Sequence, residues 1–231
     1  MLRISYQDVL TASTSAQLTI GSRAETPDGR KWVYVKANAA LAKGDIAITG
    51  AVVGVDTVSS SADNQNRIVY VTEASAGWTV GAYADDWMLV DDGTGAGQVA
   101  KIKTNTNDTL ELYPEYALSA ALDVADSDIT IARPYHVDEA EVTSKKQNAN
   151  GIAQCAIAAS SYGWLLTYGP GVVTAGIALT ATASFGTGDD TAGYATILAT
   201  TEGSFDAQCL GYSLVANASA DKGALVFVNI Q

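Results

Sequence analysis

The sequence predicts an all-β protein: an antiparallel barrel or sandwich main domain, an inserted small β module and an extended N-terminal arm. Three observations carry this prediction. Apolar and polar side chains alternate over short runs, as in Gln98–Lys103, where Ala100 and Ile102 oppose Val99, Lys101 and Lys103. Clusters of Gly, Asn, Asp and Pro separate those runs at short intervals. No helical periodicity lasts ten residues; Pro114–Leu122 has room for one or two turns.

The elements follow in order. Met1 to Ser22 reads as an arm: Leu2, Ile4 and Tyr6 share one face of a strand, Val9 and Leu10 extend its apolar content, and a Thr/Ser-rich hinge follows. These five residues are the candidate partner-binding set, with an edge strand of the arm's own domain as the alternative. Thr26-Pro27-Asp28-Gly29 is a turn. It leads to the strand Lys31–Lys36, with Trp32, Tyr34 and Lys36 on one face and Val33 and Val35 on the other. A second turn at Leu41–Asp45 opens the strand Ile46–Ile48. Ser59–Asn66 is a polar boundary loop, after which Ile68–Thr72, Met88–Val90, Gln98–Lys103, Leu110–Leu112 and Ile129–Ile131 read as strands. Glu139–Asn150 is the most polar stretch and reads as a linker or exposed crossing.

Gly151–Thr182 organises the rest. It carries no charge and reads as three short strands, Ala153–Ala158, Tyr162–Tyr168 and Val172–Ala183, punctuated by glycine and by Gly169-Pro170-Gly171. Such a stretch belongs in a core or an interface. Tyr194–Thr200 and Cys209–Val215 follow as strands, and Ala224–Ile230 closes the chain as a paired, central one. The expected division is an arm (1–22), a discontinuous main domain (23–62 and 138–231) and an inserted module (63–137).

Composition narrows the function. Hydrophobic residues make up 48% of the 231 residues and charged ones 16%, against about 25% in ordinary soluble domains. A surface so poor in charge suits a chain that covers much of itself with partners. A net charge of −12 argues against nucleic acid and anionic membrane surfaces, both of which need Lys and Arg. Neither a transmembrane span nor a signal peptide is expected. Cys155 and Cys209 read as buried free thiols, with a single bridge as the alternative.

Catalytic and ligand motifs are weak throughout, so no cofactor, metal or enzymatic activity is expected. His136 is the one histidine, and the serines it would need, Ser160 or Ser161, stand in no nucleophile-elbow motif. Gly93-Thr94-Gly95-Ala96-Gly97 lacks the Lys-Ser/Thr of a phosphate loop. The acidic pairs Asp85/Asp86, Asp91/Asp92 and Asp189/Asp190, and the trio Asp123, Asp126 and Asp128, fit solvated turns better than a Ca²⁺ loop or a glycosidase pair. Four tryptophans and eleven tyrosines allow a carbohydrate-stacking surface, although their places on alternating strands favour packing.

Several patches resemble one family. They are Tyr162-Gly163-Trp164-Leu165-Leu166-Thr167-Tyr168-Gly169; Tyr34-Val35-Lys36-Ala37 with Ala40-Leu41-Ala42-Lys43-Gly44-Asp45; Gly93–Gln98 with Ile102–Thr106 and Leu110-Glu111-Leu112; and Leu210-Gly211-Tyr212 with the closing strand. They resemble the decoration, or cement, proteins of tailed-bacteriophage heads. That resemblance implies a β-rich structural protein, commonly trimeric, on the outer surface of the virion, assembled in the host cytoplasm and bridging major capsid subunits. It brings no catalytic motif with it. A receptor- or glycan-binding β protein, such as a head fibre or tail adhesin, is the alternative, and an exposed aromatic platform would mark it. A hydrolase would need a convergent pocket around His136 or paired carboxylates.

Overall fold

The structure is a computed structural model that describes residues 2–50, 53–55, 60–63, 67–119, 122–123, 126–140, 148–187, 192–198, 208–217, 219 and 222–230. The chain forms two compact units, Met1–Gly50 with Tyr135–Gln231, and Ala51–Pro134. It is all-β. In chain order the first unit begins with β1 (Leu2–Arg3), the helical turn α1 (Tyr6–Val9), β2 (Arg23–Glu25), β3 (Lys31–Ala37) and β4 (Ile46–Thr49). The second unit holds β5 (Val53–Val55), β6 (Ser60–Asp63), β7 (Ile68–Thr72), β8 (Trp87–Asp92), β9 (Val99–Asn105), β10 (Thr109–Leu112) and β11 (Asp128–Ala132). The first unit resumes with β12 (His136–Glu139), β13 (Ala149–Ala153), β14 (Tyr162–Ala175), β15 (Ser184–Thr187), β16 (Ala195–Ile197), β17 (Gly211–Ser213) and β18 (Lys222–Asn229).

Strand β14 belongs to two rings of strands. In the first, β3, β12, β4, β13 and β14 pair in turn and β14 pairs back onto β3, closing a five-stranded barrel. In the second, β14, β16, β15, β17 and β18 pair in turn and β18 returns to β14 along eight residue pairs; the β14–β16 side rests on one pair, Ala175 with Ala195. The first barrel is filled by Val33, Val35, Ala37, Ala47, Val137, Ala153 and Leu165. Trp32, Tyr34, Trp164 and Leu166 point the other way into a second apolar cluster, which also takes Val173, Phe185, Val226 and Val228. Both faces of β3 are thus buried, and its sequence is nearly continuously apolar for that reason.

The three strands expected in the organising stretch are one long strand and a short one. β14 runs unbroken through Gly169-Pro170-Gly171, where the sequence signals a turn. The proline is tolerated because its carbonyl faces the Arg30 guanidinium (3.4 Å) and not β18, so the missing N–H removes no bond to β18. Two residues on, the side-chain amide of Gln154 replaces a neighbouring strand: it donates to the Val172 carbonyl and accepts from the Val172 N–H, both at 2.9 Å. Gly169, at φ 107°, allows the strand to swing from one ring to the other.

The arm lies along its own unit. β1 pairs in parallel with β2. Ser5 then caps α1, its hydroxyl accepting from the Asp8 N–H at 3.3 Å. Ser13 and Tyr162 exchange backbone hydrogen bonds at 2.9 and 2.7 Å. A single extended strand through Leu2, Ile4 and Tyr6 is therefore not what forms. The Ser-x-x-Asp pattern at 5–8 closes a helical turn, which rotates Val9 into the core.

The second unit is one antiparallel sheet in the order β5-β11-β8-β9-β10-β7-β6. Its alternating strands send Met88, Val90, Ala100, Ile102, Leu110, Leu112, Ile129 and Ile131 into a single core, closed over by Trp78 and Tyr83 with rings edge to face at 5.8 Å. Pro114–Tyr116 makes one turn of 3₁₀ helix, as the proline allows.

Candidate interaction face

The outward side of β14, β18 and β17 carries an apolar face that stays exposed among the described residues of its unit. Along β14 the even positions Tyr168, Pro170 and Val172 point out while Val173 and Ala175 point in. Register brings Phe227 opposite Pro170 and Leu225 opposite Val172, and Tyr212 opposite Phe227. Leu214 joins them, its N–H bonded to the Leu225 carbonyl at 2.9 Å. Tyr168, Tyr212, Leu214 and Leu225 remain 39, 43, 38 and 45% exposed. None of these seven residues is charged.

The aromatic rings are engaged with one another. Tyr212 and Phe227 stack with centroids 5.4 Å apart and planes 11° from parallel. Tyr168 stands edge-on to Phe227 at 5.2 Å, and the Lys31 ammonium lies 5.1 Å from the Tyr168 ring. Beyond Tyr168 the face runs into a cavity of about 320 Å³ lined by Arg23, Lys31, Trp32, Thr167, Tyr168, Asn229 and Ile230. At its margin Arg30 pairs with Asp28 at 2.7 Å and lies 4.6 Å from the Tyr6 ring. Asp28 is held at about 2: burial raises its pKa, but hydrogen bonds from Tyr6, Thr26 and Arg30 and the Arg30 charge outweigh that.

The structure scatters the five arm residues. Leu2, Tyr6 and Leu10 are exposed, Ile4 packs against the core, and Val9 is fully buried within its own unit. A larger cavity, about 620 Å³, lies between the arm and the barrel, with Tyr34 and Trp164 among its lining residues. The aromatic face was missed because its residues lie on three strands far apart in sequence. Only the even-position run Tyr168, Pro170, Val172 hinted at it, and the turn expected at Gly169–Gly171 hid that run.

The weaker motifs fall apart chemically. Ser161 and His136 are buried and Ser160 is exposed on a turn at φ 61°. The glycine loop at 93–97 is already occupied by a carboxylate, since Asp126 accepts from the Thr94 N–H at 3.0 Å and from its hydroxyl at 3.3 Å. Asp85 pairs with Lys101 at 3.0 Å and Asp86 with Arg133 at 2.9 Å; Asp91 accepts from Thr130 and Asp92 from the Gly93 N–H. Asp189 and Asp190 lie outside the described residues. Among the described residues no three His, Cys, Asp or Glu side chains are grouped to hold a metal. Cys155 is half-buried and Cys209 exposed, both as free thiols, so the expectation of two buried thiols fails at Cys209. It follows β16 by a stretch largely outside the described residues and precedes the inward-pointing Leu210.

No family model matches the chain, and no curated protein matches it. Among solved structures it is similar to the N base of the head fibre protein gp8.5 of bacteriophage phi29, at 9% identity and a TM-score of 0.35, over 87% of this chain and 94% of that one. At that score the two folds are not shown to be the same, and nothing about this chain follows from the likeness.

Proposed function

We propose that this chain is a structural protein of a bacteriophage head, which decorates the outside of an icosahedral capsid and bridges major capsid subunits as a homotrimer without catalysing a reaction. The observation that carries the reading is the uncharged aromatic face of β14, β17 and β18 on a chain of net charge −12. Covering it removes on the order of 400–500 Å² per copy, within the roughly 300–600 Å² of the largest patch on a typical monomer, which is often functional. At about 25 cal/mol per Å² that is roughly 10 kcal/mol gross, of the same order as the ~4–15 kcal/mol that association costs. One face therefore holds weakly. Three copies on one shell site hold tightly through effective concentration. The cement-protein resemblance of Tyr162–Gly169, a strand that turns out to be shared by both rings, supports the same reading.

A glycan-binding role fits less well. A sugar stacks on an open ring face, and here the faces of Tyr212 and Phe227 are turned to each other while Lys31 sits by Tyr168. The test uses undecorated shells from the particle that carries this protein. The parent chain is expected to sediment with the shells, and a Tyr212→Ser/Leu225→Ser variant to lose at least tenfold in affinity with its fold intact. Equal binding by the variant, or none by the parent, contradicts the reading.

A further inference from the structure

We propose that the cavity beside Tyr168 and the aromatic face form one continuous site for an extended segment of a partner protein, with a carboxylate in the cavity and apolar side chains along the face. This rests on the reading of the face as an interaction surface and names the chemistry of what covers it.

Charge is the argument. Up to Ala37 the chain carries five cations against three acids, whereas the remainder carries eight against twenty-two. Two of those five, Arg23 and Lys31, line the cavity, and among the described residues neither belongs to an ion pair. Glu25, opposite Lys31 in the β2–β3 register, is the nearest acid by pairing and forms no bridge to it. Asn229 and Thr167 add an amide and a hydroxyl to the same wall. Within a chain whose overall field repels anions, this is a locally cationic concavity that a carboxylate fits. Tyr168 lines the cavity and also starts the ring series that continues through Phe227 to Tyr212. A strand-like segment leaving the cavity along this series turns every second side chain onto it.

The test pits local charge against global charge. Two fluorescent decapeptides alternate Phe and Val with Ser; one ends in two Asp, the other in two Lys. The acidic peptide is expected to bind at least tenfold more tightly than the basic one, although the whole chain is acidic, and to weaken as salt rises. Amide shifts are expected at Tyr168, Asn229 and Tyr212. Arg23→Glu with Lys31→Glu is expected to abolish or invert the preference, checked against Arg23→Gln with Lys31→Gln if the reversal disturbs folding. A basic peptide that binds as well or better, a preference that survives both variants, or no binding of either peptide at millimolar concentration overturns the proposal. If it fails while Tyr212→Ser/Leu225→Ser still costs shell attachment, the cation-guided segment alone falls and the proposed function stands.

Discussion

Val9 shows how a single residue changes the meaning of the arm. Read as a strand, it belongs with Leu2, Ile4 and Tyr6 as a contact for a neighbour; in the structure it is fully buried in its own unit. Val9→Ala is expected to cost about 2 kcal/mol in urea unfolding, and removal of residues 1–15 to cost more. Asp28 locks the other end. Because its pKa is lowered, the stability it supplies is complete above the ordinary carboxylate range and is lost as pH falls through about 2. The exchange protection of the Ile4 amide, whose N–H bonds the Glu25 carbonyl at 3.2 Å, is expected to fall relative to the intrinsic rate between about pH 4 and pH 2, before that of the barrel cores. Asp45 has the opposite sign: burial pushes its carboxyl up against the bond from the Ala42 N–H. Its favourable contribution is present at low pH and lost as pH rises through the raised value. Asp45→Asn, which keeps an acceptor for Ala42, is expected to unfold at equal or higher urea than the parent at pH 7, with the gap closing toward pH 3.

At the scale of elements, most of the strands were legible because each side-chain alternation is a local property. β3, β7, β9, β10, β11 and β18 all form close to where their apolar periods place them. What was not legible depends on partners remote in sequence. Gly169-Pro170-Gly171 carries a turn signature, yet Arg30 satisfies the proline carbonyl, the Gln154 amide satisfies Val172 two residues on, and β18 pairs straight past them. The apolar parity of Leu2, Ile4 and Tyr6 predicts a strand, and the Ser5 cap on the Asp8 N–H makes a helical turn there instead. Backbone crowding at β17 makes a further test. Gly211 sits at φ 149° and a Cβ there would lie 2.0 Å from the Phe227 carbonyl oxygen. Gly211→Ala is expected to cost about 3 kcal/mol or more through strain and forced strand separation. Gly77→Ala, also at positive φ but with nothing within 4 Å, is expected to cost about 1 kcal/mol. Equal urea midpoints for the two would show that the β17–β18 pairing is not as tight as described.

For the whole molecule, composition pointed to a chain that works by contact, and the face proposed for that contact is one that no sequence window contains. Two rings sharing β14 explain why the uncharged stretch Gly151–Thr182 was central: β14 supplies side chains to both apolar clusters of its unit and, at Tyr168, Pro170 and Val172, to the outward face. The central claim is that this face is what attaches the protein to a capsid. The most direct measurement is a cryo-EM map of the particle that carries it. The account predicts density for the chain on the outer surface of the shell, with Tyr168, Leu225 and Tyr212 buried against a capsid subunit or a sister copy at a subunit junction. A map that places the chain elsewhere, or that leaves those three side chains in solvent, would contradict it.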